Sequence, residues 1–235
     1  MRFSNCWLHA VVVLLLAAFA AGCATAPAVP ADSHAATLSI QNLVCSDCGK
    51  DLEQRALALP GVRAAKFDDK RVELGLQLAP GMEAQAVADA VQREPVDGKA
   101  ITATVGAGKG AYAPFTTPEP GWDEKQLSAK GEDVSDLAAE VAKGKATVVD
   151  FYADWCGPCH DMDEHIHARL GRDPRLAYRR INVVDWESPV ASHYLKQARE
   201  LPYFIVFDTQ GREVARLAGL HPDDLDAAIA KAEQP

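Results

Sequence analysis

A chain of 235 residues that is 48% hydrophobic is long enough to form two small cores, and its composition excludes a fibrous or a wholly disordered protein. The formal net charge of −9 argues against nucleic acid as a partner, because binding to phosphates requires a basic surface. We therefore expect two globular domains whose partners are not nucleic acids.

The first 22 residues predict an export signal. Arg2 is followed by an apolar run, residues 10–21, which ends in small side chains and is short for a membrane span. Residues 20–23, Ala-Ala-Gly-Cys, resemble the lipobox of bacterial lipoprotein signals, whose cysteine becomes the lipid-carrying N-terminus. The resemblance implies lipidation of Cys23 and anchoring in the periplasm, with the outer membrane favoured. Secretion after cleavage nearby and an uncleaved anchor are the alternatives.

Residues 23–35 are rich in alanine and proline and predict an extended tether. Residues 36–106 then predict six elements in the order strand, helix, strand, strand, helix, strand. Their periodicity and turn residues favour a strand from residue 36, in which Leu38 and Ile40 alternate with polar residues, and strands at 62–67, 72–78 and 101–105. Helices are favoured at 48–59 and 83–94. This order is that of the ferredoxin-like βαββαβ unit, an α+β fold with an antiparallel sheet and two helices.

Cys45 and Cys48 stand where the chain enters the first predicted helix. Two intervening residues close too small a loop for a stabilising disulfide, so the pair is expected to be redox-active or metal-binding. The stretch NLVCSDCGKDLEQRALALPGV resembles the heavy-metal-associated domain, although Leu43 replaces its usual methionine. The resemblance implies a site for Cu(I), Hg(II) or another soft metal ion, with both cysteines as ligands. A redox relay and an inert disulfide are the alternatives.

Residues 107–124 are dense in glycine and proline and predict a linker between the domains. Three aromatic residues, Tyr112, Phe115 and Trp122, interrupt this composition. We expect part of the linker to dock against a domain.

Residues 125–235 predict a second domain in which helices and strands alternate. The patterns favour helices at 134–143, 190–199 and from 222 onward, and a further helix that carries Cys159 and stops at Gly171. They favour strands at 147–152, 178–184, 203–208 and 213–217.

The stretch VVDFYADWCGPCH, residues 148–160, resembles the thioredoxin family. Together with the HDMDEHI that follows, it is most similar to the C-terminal domain of the periplasmic disulfide reductase DsbD. Leu201-Pro202 matches the family's cis-proline position, and Gly219 matches its C-terminal glycine. The resemblance implies an α/β thioredoxin fold and thiol:disulfide exchange that requires no cofactor. It also implies protein disulfides as partners and an electron donor in the membrane.

The residues around the second cysteine pair support the same chemistry. Cys156 lies at a strand-to-helix junction, where free N–H groups and the helix dipole favour a thiolate. It would attack a substrate disulfide, and Cys159 would resolve the mixed disulfide. Asp150 is predicted to be buried, which is unfavourable for a carboxyl group without a partner or a task. By resemblance, Asp150 accepts the proton of Cys159 and Pro202 exposes the backbone of Leu201 to the substrate.

Trp155, Gly157 and Pro158 complete the expected substrate-binding surface, with Trp155 as its lip. The Gly-Pro dipeptide matches reducing members of the family, for which a potential of about −270 mV is typical. The sequence CGPCH also fits the attachment pattern of c-type haem. A haem-attachment sequence does not need to follow a buried strand that contains an aspartate, so the strand before Cys156 favours the redox interpretation. The following helix carries three histidines, which we expect on its solvated face or, alternatively, as metal ligands: His160, His165 and His167.

These patterns predict a lipid-anchored periplasmic thiol:disulfide reductase, which acts on exported proteins or on its own Cys45/Cys48 pair. The alternative is a soft-metal carrier whose thioredoxin-like domain docks without turnover.

Overall fold

A computed structural model describes residues 32–106 and 108–234. The predicted export signal, Cys23 and most of the predicted tether lie outside the described residues. Among the residues that are described, no helix combines the length and the apolar character that crossing a bilayer requires.

The first domain contains the six predicted elements in the predicted order. They are β1 (His34–Leu43), α1 (Cys48–Leu57), β2 (Val62–Asp68), β3 (Glu73–Leu78), α2 (Ala84–Val91) and β4 (Thr102–Val105). The strands pair in the order β2-β3-β1-β4, and each of these pairs is antiparallel. Strand β1 begins at His34, inside the segment predicted as tether, because its backbone pairs with β3 from that residue onward.

One apolar core holds the first domain together. Leu38 and Ile40 of β1 are fully buried beneath α1 and α2, which contribute Leu52 and Val87 to the same cluster. Cys48 also belongs to this cluster, at the start of α1. The first cysteine pair is thus fixed to a packed helix end.

The linker docks, as its aromatic residues predicted. A short strand, β5 (Ala111–Tyr112), pairs in parallel with β1, and the Tyr112 hydroxyl donates a hydrogen bond to the carbonyl oxygen of Asp69 at 3.1 Å. Farther along, Phe115 packs against the second domain. The linker therefore extends the first sheet before it reaches the second fold.

The second domain is built on a mixed five-stranded sheet in the order β10-β9-β7-β8-β6. Its elements are β6 (Glu124–Ser128), β7 (Ala146–Tyr152), α3 (Gly157–Leu170), β8 (Leu176–Asn182), α4 (Pro189–Tyr194), β9 (Tyr203–Phe207), β10 (Glu213–Ala218) and α5 (Pro222–Ala232). Strands β6, β8 and β7 are parallel, whereas β9 and β10 run antiparallel to their neighbours.

Every residue of β7 is buried, because this central strand separates two apolar clusters. Val149 and Phe151 belong to one cluster, and Val148 to the other. A parallel sheet covered on both faces gives such a continuous apolar strand. Asp150 therefore lies deep in the domain.

Two predictions in this domain were wrong. The predicted helix at 134–143 is only a 3₁₀ turn at Leu137–Glu140, because the Asp136 side chain caps it and Val141 returns to extended backbone. The predicted helix at 190–199 ends at Tyr194. Strand β6 was not predicted, because an edge strand of mostly polar residues carries no apolar alternation.

Candidate active site

Cys156 occupies the N-cap of α3, directly after the turn that leaves β7. Its backbone is extended, with φ −94° and ψ 102°, and its Sγ accepts a hydrogen bond from the Cys159 backbone N–H at 3.2 Å. Pro158 lies in the first helical turn, where backbone N–H groups have no intrahelical partner, so its lack of an N–H costs the helix no hydrogen bond. A sulfur held by a helix N-terminal amide is stabilised when it carries negative charge.

Cys156 and Cys159 are joined as a disulfide, so the structure represents the oxidised form. Cys159 is fully buried and Cys156 is 4% exposed. Both sulfurs are therefore covered in the complete chain, where the loop that carries Cys45 lies against the turn that follows Cys156.

Asp150 is buried in β7 and has one partner. Its Oδ2 accepts a hydrogen bond from the Tyr178 hydroxyl at 2.6 Å, while its Oδ1 has no hydrogen-bond partner within the described residues. Burial raises the pKa of Asp150 to about 7, against the opposing effects of the Tyr178 hydrogen bond and of the Arg180 charge. A carboxyl group with this pKa can accept and release a proton near neutral pH.

Tyr178 was missed by the sequence analysis. It lies on β8, beside β7, and is fully buried. A buried tyrosine hydroxyl needs a hydrogen-bond partner, and a tyrosine in a predicted buried strand was therefore the sequence feature that could have pointed to a polar contact. The pairing of β7 with β8, which brings the hydroxyl to Asp150, could not be read from local pattern.

A buried charge cluster ties α3 to β6 and β8. His167 Nε2 lies 2.7 Å from a Glu124 oxygen, its Nδ1 lies 3.2 Å from an Asp163 oxygen, and Arg180 approaches both carboxylates. Burial lowers the pKa of His167, but the hydrogen bonds to Asp163 and Glu124 outweigh it and raise that pKa to about 9. His167 is therefore charged at neutral pH.

The prediction of solvated histidines was wrong for His160 and His167. Both are buried, because the linker and β6 cover this face of α3. The ring of Phe115 stacks on His160 with centroids 3.9 Å apart, and burial lowers the pKa of His160. His165 is only partly buried and lies 3.2 Å from Asp226.

The predicted substrate-binding residues surround the cysteines. The Leu201–Pro202 peptide bond is cis, and Leu201 packs in the same apolar cluster as Cys156 and Cys159. The Trp155 indole N–H donates a hydrogen bond to the Val184 carbonyl oxygen at 2.6 Å, which fixes the ring beside the active-site turn.

The first cysteine pair repeats part of this geometry. Cys45 and Cys48 are also joined as a disulfide, and Cys45 Sγ accepts a hydrogen bond from the Cys48 backbone N–H at 3.0 Å. A carboxylate oxygen of Asp97 and both sulfurs lie within 4.8 Å of one another. Asp97 was not predicted, because a separate loop brings it to the cysteines.

The two cysteine loops meet in space. The Ser46 backbone N–H donates a hydrogen bond to the Trp155 carbonyl oxygen at 2.9 Å. A Cβ atom added to Gly157 would lie 3.1 Å from the Cβ of Cys45 and 3.7 Å from its Sγ. The loop that carries Cys45 therefore rests on the turn between Cys156 and Cys159.

Comparison with known proteins adds independent evidence. The thioredoxin family model matches residues 131–231, which include Asp150, both cysteines of the second pair and Pro202. Thioredoxin H-type of Fagopyrum esculentum is 32% identical over 109 residues, which cover 46% of this chain and 81% of that protein. The chain belongs to the thioredoxin family. Thioredoxin H2 of Arabidopsis thaliana is 30% identical over 134 residues, 57% of this chain and 97% of that one.

Among solved structures, the thioredoxin NaTrxh of Nicotiana alata is 30% identical, with a TM-score of 0.39 over 51% of this chain and 99% of that chain. Membership of the thioredoxin family makes the second domain a thiol:disulfide oxidoreductase. Thioredoxins exchange electrons through their cysteines and need no cofactor for it. Cys45 and Cys48 lie outside the residues that the family model matches.

Proposed function

We propose that this thioredoxin-family protein is a lipid-anchored periplasmic reductase of protein disulfides, including its own Cys45–Cys48 bond. One observation carries the proposal. Cys156 accepts a hydrogen bond at the start of a helix, and Cys159 and Asp150 are buried in the same domain. This arrangement supplies a nucleophile, a resolving thiol and a proton acceptor.

The reducing direction is supported by residues between and around the cysteines. Gly157-Pro158 matches reducing members of the family, and the flanking sequence resembles the C-terminal domain of DsbD. The resemblance further supports exported proteins as substrates and a membrane protein as electron donor.

The test of the reductase is insulin reduction with dithiothreitol as electron donor. The wild-type chain should accelerate the appearance of insulin thiols, and Cys156→Ser should lower the rate to that of dithiothreitol alone. Cys159→Ser should instead accumulate a mixed disulfide between Cys156 and insulin. A wild-type chain that adds nothing to the dithiothreitol rate would contradict the proposal.

The lipid anchor is supported by the lipobox-like residues 20–23. After expression with the leader in a Gram-negative bacterium, the wild-type chain should sediment with membranes, and Cys23→Ser should move it to the soluble fraction. A Cys23→Ser chain that still sediments would exclude the lipid as the anchor.

A second function, carriage of a soft metal ion, is favoured by the first domain. We infer from its motif and element order that it is a ferredoxin-like, heavy-metal-associated domain in which reduced Cys45 and Cys48 bind Cu(I), with Asp97 beside them. Anaerobic titration with Cu(I) against a chromophoric competitor should show one tight site, which Cys45→Ser/Cys48→Ser removes. Tight binding without insulin reduction would favour the carrier over the reductase.

A further inference from the structure

The loop of the first domain that carries Cys45 covers the turn that carries Cys156. We infer that Cys45 is the sulfur through which the two domains exchange electrons, and that the first domain is held on the thioredoxin surface as a built-in disulfide substrate. The inference rests on the proposed function and deepens it, because it names the bond that Cys156 attacks.

The contact selects Cys45 over Cys48. Cys45 is partly exposed and lies against Gly157, within the active-site turn. Cys48 is 6% exposed and packs in the core of the first domain at the start of α1. Cys48 thus faces its own domain, whereas Cys45 faces the other one.

Gly157 makes this approach possible. Any side chain at this position would begin 3.1 Å from the Cβ of Cys45, which is closer than almost all such contacts in proteins. The hydrogen bond from Ser46 to the Trp155 carbonyl then holds the loop beside the active-site turn. Backbone pairing next to the reacting sulfur is a general way to position an extended segment on a protein surface.

The linker holds the two domains in this arrangement. The Ala113 backbone N–H donates to the Leu43 carbonyl oxygen of the first domain at 2.8 Å. Two residues later, Phe115 stacks on His160 of the second domain, and the Thr116 N–H donates to Asp163 at 3.0 Å. A linker pinned on both sides keeps the effective concentration of one cysteine pair near the other high.

The exchange balances within the two pairs. The Cys156 thiolate attacks Cys45 Sγ, the Cys45–Cys48 bond breaks, and Cys48 leaves as a thiolate that takes a proton from water. Cys159 then gives its proton to the Asp150 carboxylate and attacks Cys156 Sγ. The bond between Cys45 and Cys156 breaks, the Cys156–Cys159 disulfide forms, and Cys45 is released as a thiolate. Two electrons have passed to the first pair, and an external dithiol must reduce the second pair again.

The released Cys45 thiolate is stabilised where it forms. Its sulfur accepts the Cys48 N–H hydrogen bond at 3.0 Å, as the Cys156 sulfur accepts the Cys159 N–H at 3.2 Å. Hydrogen bonds to a charged acceptor are stronger than those to a neutral one. Each pair therefore presents its first cysteine as the sulfur that can both attack and leave.

The test uses the full chain in mild detergent, with two double variants. Cys48→Ser/Cys159→Ser keeps Cys45 and Cys156, and the matched control Cys45→Ser/Cys159→Ser keeps Cys48 and Cys156. Each variant is reduced, freed of reductant, oxidised with diamide at low protein concentration, and mapped by mass spectrometry of its peptides. The first variant should form an intrachain Cys45–Cys156 bond, whereas the control should form no Cys48–Cys156 bond.

A second pair of variants tests the hydrogen bond between the two loops. Ser46→Pro removes the N–H that Trp155 accepts, and Ser46→Ala keeps it. In the Cys48→Ser/Cys159→Ser background, Ser46→Pro should slow formation of the Cys45–Cys156 bond roughly fivefold, as the loss of one hydrogen bond implies, and Ser46→Ala should not.

The outcomes separate this inference from the proposed function. If the wild-type chain reduces insulin but Cys45–Cys156 does not form, or Cys48–Cys156 forms equally well, the inference is overturned and the reductase stands. If the wild-type chain does not reduce insulin, the proposed function fails, and the cross-link still decides which sulfur meets Cys156.

Discussion

At the scale of single residues, Asp150 is the most constrained side chain of the site. It is 1% exposed, in the middle of a strand whose other members are apolar or aromatic apart from Thr147. Its pKa of about 7 means that the folded protein retains a proton there at pH values where an ordinary aspartate has lost it. Asp150 can therefore gain or lose a proton near neutral pH. Its ionised form is buried, so ionisation lowers the stability of the fold.

The substitution Asp150→Asn tests both consequences. Because the pKa rises from 3.8 to about 7 on folding, wild-type stability falls as the pH rises through that range. The free energy of unfolding of Asp150→Asn, relative to wild type, should therefore increase between pH 4 and pH 8, by on the order of a few kcal/mol. Urea unfolding at both pH values measures this change, and an unchanged difference would contradict the assignment. The same variant should reduce insulin more slowly at pH 7.

Removal of the Tyr178 hydroxyl should move the titration of Asp150. The hydroxyl donates to Asp150 Oδ2 and stabilises the carboxylate, so Tyr178→Phe should raise the pKa of Asp150 further. The pH at which Cys159 resolves a trapped mixed disulfide at half its maximal rate should then move upward. Tyr152→Phe is the matched control, because its hydroxyl donates to Gln126 instead. A midpoint that stays in place or falls in Tyr178→Phe would refute the coupling.

At the scale of elements, helix α3 has two tasks. Its N-terminal end holds Cys156 and Cys159. Farther along, His167 is paired with Asp163 of the same helix and with Glu124 of β6, and the second pairing anchors the helix to the sheet. The carboxylates raise the pKa of His167 to about 9 despite burial. The His167 imidazolium is thus paired with a carboxylate at each of its two ring nitrogens.

The substitution His167→Gln should destabilise the second domain in a pH-dependent way. The histidine gains its partners on folding, so its contribution is full below about pH 6.5 and is lost as the pH rises through 9. The stability difference between wild type and His167→Gln should be greatest near pH 6 and should shrink by pH 10. Chemical denaturation across this range provides the measurement, and a difference that grows with pH would show that the pairing has been misassigned.

Local pattern predicted most elements around the site, and the exceptions share a physical cause. The buried strand β7, the helix that begins at the second cysteine pair and the cis-proline position all carry signals in a few adjacent residues. Strand β6 forms only by pairing with β8, which is far away in the chain. His160 is covered by Phe115 of the linker, and His167 is covered by Glu124 of β6. Helical periodicity shows which residues share a face, but it does not show what covers that face.

At the scale of the whole molecule, the principal feature is that the loops that carry the two cysteine pairs are in contact. Neither motif predicts this arrangement, because the hydrogen bond between the loops uses the backbone N–H of Ser46 and the backbone carbonyl of Trp155. Any residue except proline at position 46, and any residue at position 155, could supply these groups. The only sequence signals were the aromatic residues in the linker, and Phe115 does dock on His160. Cys156 is accordingly nearly covered, at 4% exposure, in the complete chain.

The most direct test of the central claim, that Cys156 and Cys159 donate electrons to disulfides, is a single turnover without an electron donor. The Cys45→Ser/Cys48→Ser chain, in which the first pair cannot supply electrons, is reduced, freed of reductant under nitrogen and mixed with oxidised insulin, and its cysteines are then alkylated and mapped. We predict that Cys156 and Cys159 become disulfide-bonded as insulin gains two thiols per chain. If both cysteines remain alkylatable and insulin stays oxidised, the second pair is not the reducing centre.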